Sequence, residues 1–238
     1  MCDSSQYVNN THILIRSMDR TDFWGQTTSN FKLTLSKPQK GSKCQLSYCQ
    51  LTNTYYNIKN SNKYLVVNGN NYSLDVGTYT LNSLMAALQN LLVDEGAFTI
   101  TFSTLTNLIT IDGGHVFTMN LNIPNSIAKV IGFNPYATYA GRSSYTGTNL
   151  PKIYDNAVYI NVNFANNIQT SSQLKNVSFV IPNNKNIGEV VEFYSNTQFS
   201  LQPRVQNQTI GDVQIQVFDE EGELLVGLGE WCMMIQIL

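Results

Sequence analysis

One long window of this chain, Thr80 to Leu92, carries apolar residues at helical spacing; almost everywhere else they alternate with polar ones. Leu81, Leu84, Met85, Leu88, Leu91 and Leu92 form the stripe of an amphipathic helix, and Thr80 is a good N-cap. After the helix the period drops to two. Phe98, Ile100 and Phe102 alternate with Thr99 and Thr101, Ile109 and Ile111 continue, and Phe117, Met119, Leu121 and Ile123 repeat the pattern. Pro124, Asn125 and Ser126 then open a short helix with Ile127, Val130 and Ile131, which Gly132 stops. Tyr72 to Phe133 therefore reads as strand, helix, three strands and short helix, a compact module inside something larger.

Strand patterns fill the rest. Ile13 and Ile15, then Phe31, Leu33 and Leu35 up to Pro38, then Cys44, Leu46 and Tyr48 each take alternate positions. Lys63–Val67 and Asn71–Val76 flank a turn at Gly69, a hairpin leading into the module. The stretch Asn134 to Pro151, rich in Gly, Ser, Thr and Tyr, has no period and reads as an exposed loop; Asp19 to Ser29, with Phe23, Trp24 and Gly25, reads as a turn-rich connection. Strands resume at Val158–Val162, Val177–Ile181, Val190–Tyr194 and Phe199–Leu201. Val213–Val217 and Trp231–Leu238 close the chain as a hairpin-like pair around the acidic turn Asp219–Glu223. In the last strand Trp231, Met233, Ile235 and Ile237 are apolar, and so are Cys232, Met234 and Leu238 on the other side. A strand apolar on both faces belongs at the centre of stacked sheets or at a subunit contact.

Many short strands spaced by turn residues predict a mainly β chain, an antiparallel β-sandwich of the single jelly-roll kind, with a small inserted α+β module. The expected division is 1–69 for the first part of the jelly-roll base, 70–140 for the module and 141–238 for the second part.

Charge narrows the function. Charged residues are 13% of the chain against roughly 25% in ordinary soluble proteins, while hydrophobic ones are 42%. A polar but nearly uncharged surface suits permanent packing against protein neighbours, where few ions need desolvation. An Asn-rich proteome would produce the same bias. The formal net charge of -2 argues against a nucleic-acid surface, and the basic stretch Lys32–Lys43 lacks interleaved aromatics. Met1–Gln6 has neither a basic nor an apolar signal region, and no apolar run approaches a membrane span of about 18 residues. Cys44 and Cys49, five apart in a strand, are expected on opposite faces, so a reducing cytosol fits better than a disulfide framework. The sequons at Asn9, Asn71, Asn176 and Asn207 are about what chance supplies in a chain so rich in Asn and Thr.

No catalytic constellation emerges. His12 and His115 are far apart and read as structural, which removes the His and Glu cluster that metal-dependent jelly rolls need. Asp219–Glu223 runs its acids consecutively into Gly222 and reads as a solvated turn, not a calcium loop. Asp94-Glu95-Gly96 reads as a helix stop. The expectation is a chain that is not an enzyme, with no cofactor and no metal.

Two stretches resemble a known family. The first is Gly77-Thr78-Tyr79-Thr80-Leu81-Asn82-Ser83-Leu84 with the helix to Leu92, the Phe98–Ile111 strands and Val130-Ile131-Gly132-Phe133. The second, the more specific, is Val213–Phe218, Asp219-Glu220-Glu221-Gly222, then Gly229-Glu230-Trp231 and the terminal apolar strand. Both are similar to penton, or minor capsid, proteins of virophages and Polinton-like (adintovirus-type) double-jelly-roll DNA viruses. The resemblance implies a vertical jelly roll forming homopentamers at the fivefold vertices of an icosahedral virion, beside a double-jelly-roll major capsid protein. It also implies synthesis in the host cytoplasm and an outward module available to a host receptor. The alternative is a spike, turret or fibre-base protein that binds a receptor or glycan, with Tyr136, Tyr139 and Tyr145 stacking on sugars. Trp231, Met233, Met234, Ile235, Ile237 and Leu238 are the core or interface candidates.

Overall fold

The computed structural model describes residues 11–20, 26–165, 177–195, 202–205 and 209–238. Phe23–Gly25, the Phe199–Leu201 strand and the sequons at Asn9, Asn176 and Asn207 lie outside the described residues. In chain order the strands are β1 (Thr11–Arg16), β2 (Asn30–Gln39), β3 (Cys44–Thr52), β4 (Tyr64–Val67), β5 (Asn70–Ser73), β6 (Thr99–Ser103) and β7 (Leu108–Asn120). Then follow β8 (Thr138–Thr146), β9 (Ala157–Val162), β10 (Phe179–Pro182), β11 (Val190–Tyr194), β12 (Ile210–Phe218) and β13 (Cys232–Ile237). The helix α1 spans Leu81–Leu91.

The chain divides into two compact units, one of Met1–Thr54 with Asp155–Leu238 and one of Tyr55–Tyr154. The second is wider than the 70–140 read from the sequence. Pairing explains the difference: β4 joins both β5 and β7, and β8, which runs past residue 140, pairs along β7.

The first unit holds two antiparallel four-stranded sheets, ordered β1-β13-β3-β11 and β10-β9-β12-β2. Among the described strands, only the consecutive pair β9 and β10 are neighbours in one sheet; each other pair of consecutive strands in this unit lies in different sheets. This is the strand order of a jelly roll. It corrects the terminal hairpin: β12 and β13 belong to different sheets, so Asp219–Glu223 begins a crossing between layers. Alternation within a strand reports which face is buried and carries no information about its neighbour. The core lies between Ile13, Ile15, Leu46, Leu51, Met233, Ile235 and Ile237 of one sheet and Phe31, Leu33, Ile160, Val213, Ile215 and Val217 of the other, all buried.

In β3 the pairing with β13 skips Ser47, because Met234 faces Tyr48 and Ile235 faces Leu46. This β-bulge resets the alternation, so Cys44, Leu46, Cys49 and Leu51 are all buried. The expectation that Cys44 and Cys49 point to opposite faces therefore fails. Both remain free thiols, and burial pushes Cys44 up to about 12 and Cys49 higher still.

In the second unit, Thr80 caps α1 by accepting a hydrogen bond from the Ser83 N–H at 3.2 Å. Leu84, Leu88 and Leu92, one helical turn apart, are fully buried. Asn68 and Gly69 both have positive φ (50° and 88°), as a two-residue type I′ hairpin between β4 and β5 demands. The two strands read at Ile109–Ile111 and Phe117–Ile123 are largely one, β7, interrupted by a register shift between Asp112 and Phe117. The expected loop Asn134–Pro151 contains β8, whose Gly141, Arg142 and Ser143 hide the alternation. Gly132, at φ 77°, ends the short helical turn Ile127–Lys129; a Cβ there would lie 2.2 Å from the Asn149 carbonyl oxygen. Asn57 ties the unit's two ends, donating from Nδ2 to the carbonyls of Tyr79 (2.7 Å) and Ile153 (2.6 Å).

Candidate interface

The last strand resolves into two unlike faces. Trp231 and, in β13, Met233, Ile235 and Ile237 are buried in the core, whereas Cys232, Met234 and Leu238 are half-buried on the outer side. Trp231 is 5% exposed and meets Phe31 edge-on at 5.9 Å. Its indole N–H donates to the Thr28 carbonyl at 2.7 Å, and its backbone N–H donates to Ser17 Oγ at 2.9 Å. Ser17 and Arg20 both reach Glu230, Arg20 at 3.0 Å. The Gly-Glu-Trp motif is therefore a structural clasp: Glu230 orients Ser17, and Ser17 with Thr28 holds the tryptophan. Arg20 was missed by the sequence reading, because an isolated arginine in a turn-rich stretch gives no sign of its distant partner.

On the outside of the same sheet the register aligns four large side chains. Leu14 of β1 faces Met234 of β13, Met234 faces Tyr48 of β3, and Tyr48 faces Tyr194 of β11. The row crosses every strand. Its ends are open, with Leu14 54% and Tyr194 65% exposed, and the two tyrosine rings lie 5.1 Å apart. Lost solvation, with Tyr194 alongside, raises the Tyr48 phenol above its ordinary range. The neighbouring row is polar: Arg16 opposite Cys232, Cys232 opposite Gln50, Gln50 opposite Glu192. The other sheet's outer side is mixed: Gln216 faces both Asn30 and Asn161 and Gln214 faces Lys32, while half-buried Phe218 faces Tyr159, which faces Val180. An apolar row bounded by polar ones is the composition of an interface core and its rim.

The three candidate tyrosines separate. Tyr145 is buried, donates its hydroxyl to the Phe117 carbonyl at 3.2 Å and meets the Phe117 ring edge-on at 5.0 Å. Tyr139 packs edge-on against Phe133 at 5.4 Å. Only Tyr136, 81% exposed, keeps an open ring.

Elsewhere in the second unit, Glu95 gathers three donors: Asn68 at 2.8 Å, Asn70 at 2.6 Å and the Tyr72 hydroxyl. These bonds, that of Tyr72 foremost, hold the Glu95 carboxyl below its ordinary range, and the same bond pushes Tyr72 up to about 12. Asp219 is also spoken for. It is buried and its Oδ1 accepts from the backbone N–H groups of Glu221 and Glu223 at 2.8 and 2.9 Å, which makes the acidic turn a self-satisfied Asx turn. No group of three His, Cys, Asp or Glu placed to hold a metal ion occurs among the described residues, and no helix there is long and apolar enough to cross a membrane.

Among solved structures, the crystal structure of the mavirus penton protein superposes with a TM-score of 0.52, covering 95% of this chain and 97% of that one at 10% identity. The chain has the fold of that penton protein. A chain of the cryo-EM structure of the Sputnik virophage aligns over 96% and 97% of the two lengths at 12% identity, but its TM-score of 0.38 adds nothing to the assignment. No family model matches the sequence, and no curated protein does. At 10% identity the shared property is the fold, β-sandwich and inserted unit together, since both chains are covered almost end to end.

Proposed function

We propose that the chain is a structural virion protein, a penton or minor capsid protein that assembles as a homopentamer at the fivefold vertices of an icosahedral capsid. The observation that carries this reading is the end-to-end likeness to a penton protein, which includes the inserted unit as well as the jelly roll. In this reading the chain works without catalysis. It is made in the host cytoplasm, resides in the virion and packs beside a double-jelly-roll major capsid protein. The unit Tyr55–Tyr154 is the part offered to a host receptor.

The apolar row Leu14–Met234–Tyr48–Tyr194 supports assembly. A closed ring repeats one heterologous contact, so each copy needs a side that is costly to leave in water. The test is the solution mass of the purified chain by native mass spectrometry or light scattering. The subunit mass is 26.7 kDa, so a ring of five gives about 130 kDa. A trimer would move the weight to a spike or fibre-base protein. A monomer that also fails to join a shell with the major capsid protein would overturn the proposal.

A further inference from the structure

Asn68-Gly69 is the only Asn-Gly pair in the chain. Glycine leaves the following backbone nitrogen unhindered, so this pair has the chemistry of spontaneous deamidation. The Gly69 nitrogen attacks Asn68 Cγ, forming a C–N bond to a five-membered succinimide. The bond from Cγ to the side-chain nitrogen breaks, and that nitrogen leaves as ammonia, taking up the Gly69 amide proton. Water then opens the ring at either carbonyl, leaving aspartate or isoaspartate. Water enters, ammonia departs, and nothing is oxidised.

Asn68 is exposed at the hairpin tip, yet its amide is held at both ends. Oδ1 accepts from the Thr118 N–H at 3.0 Å, and Nδ2 donates to Glu95 Oε2 at 2.8 Å. The backbone is fixed too, since the Asn68 N–H donates to the Thr118 carbonyl at 2.9 Å. Glu95 cannot follow the amide if it turns, because its other oxygen is bound by Asn70 and Tyr72. Bringing Cγ onto the Gly69 nitrogen requires the amide to rotate out of this clamp.

We propose that Asn68 is a deamidation site and that Glu95 sets its rate by pinning the side-chain amide. The reaction also destroys the clamp. Where Nδ2–H now meets Glu95 Oε2, the product places one carboxylate against another, and attraction becomes repulsion. Conversion of Asn68 thus loosens the β4–β5 hairpin from the turn that follows α1, a slow covalent change confined to the inserted unit.

The experiment incubates the folded full chain and its Glu95→Ala variant side by side at mildly alkaline pH. Peptide mapping by mass spectrometry then follows the one-dalton gain and isoaspartate at Asn68. Losing one charge-assisted hydrogen bond corresponds to acceleration of about tenfold in the variant. Equal rates in the two chains, or no conversion of Asn68 in either, would overturn the proposal. A second pair of variants covers the case in which Glu95→Ala does not fold. Asn68→Asp, which mimics the product, lowers the melting temperature, and adding Glu95→Gln restores most of the loss. An Asn68→Asp chain as stable as the parent sinks the coupling to Glu95.

Discussion

Trp231 concentrates more of the first unit's design than any other side chain described. Its ring fills the space beside Phe31, its indole N–H satisfies the Thr28 carbonyl, and its backbone is held by Ser17. Trp231→Ala leaves a cavity in a close-packed core and is expected to cost about 3–5 kcal/mol. Denaturant unfolding measures this, and an unchanged midpoint would contradict the burial. In the second unit Glu95 and Tyr72 predict two pH limbs. The folded-state pKa of Glu95 is depressed, so its contribution is complete above the ordinary carboxylate range and is lost as pH falls through the folded value. Tyr72 is raised to about 12. Its contribution is intact below the ordinary phenol value of about 10 and is lost as pH rises through the folded one. Tyr72→Phe is expected to shrink both limbs in melting temperature against pH. Unaltered limbs would show that the Tyr72–Glu95 bond does not carry them.

At the scale of elements, strand position was mostly legible, and strand partnership only where a tight turn closes a hairpin, as between β4 and β5. Val190–Tyr194 was read to its correct ends, and the α1 stripe and its Thr80 cap are where the spacing places them. The β12–β13 pairing failed because two alternating runs around a turn look alike whether the turn closes a hairpin or crosses between sheets. The strand β8 was missed because Gly141, Arg142 and Ser143 break its pattern between Tyr139 and Tyr145. The faces of the last strand were equally undecidable, since both are apolar and only the partners of Trp231 tell them apart. The bulge at Ser47 leaves no local mark at all, yet it aligns two halves of β3 that would otherwise face opposite ways. Deleting Ser47 removes the extra residue, and Cys44, Leu46, Cys49 and Leu51 then fall in regular alternation on the one buried face. The expected outcome is soluble protein that keeps native circular dichroism. A deletion variant that does not fold would show that the bulge is needed for more than the alternation of these four side chains.

For the whole molecule, the outer side of one sheet combines amides with the short row Phe218–Tyr159–Val180, whereas that of the other is crossed on all four strands by the apolar row Leu14–Met234–Tyr48–Tyr194. Met234→Glu places a charge in the middle of that row at a half-buried position. The folded subunit should change by no more than about 0.5 kcal/mol, the range of ordinary surface substitutions, while the proposed assembly falls apart. Thermal unfolding and solution mass, measured together, separate the two effects, and an intact oligomer would remove the row from the contact. The tie made by Asn57 bears on how such a chain folds at all. Strands β3 and β9 are separated in sequence by the whole of Tyr55–Tyr154, a separation that normally slows the pairing of distant segments. Because Asn57 bonds to the Ile153 carbonyl, the folded insert brings its own two ends together. The loop entropy for that excursion is settled inside the insert, and to the jelly roll a hundred-residue detour is kinetically equivalent to a short turn.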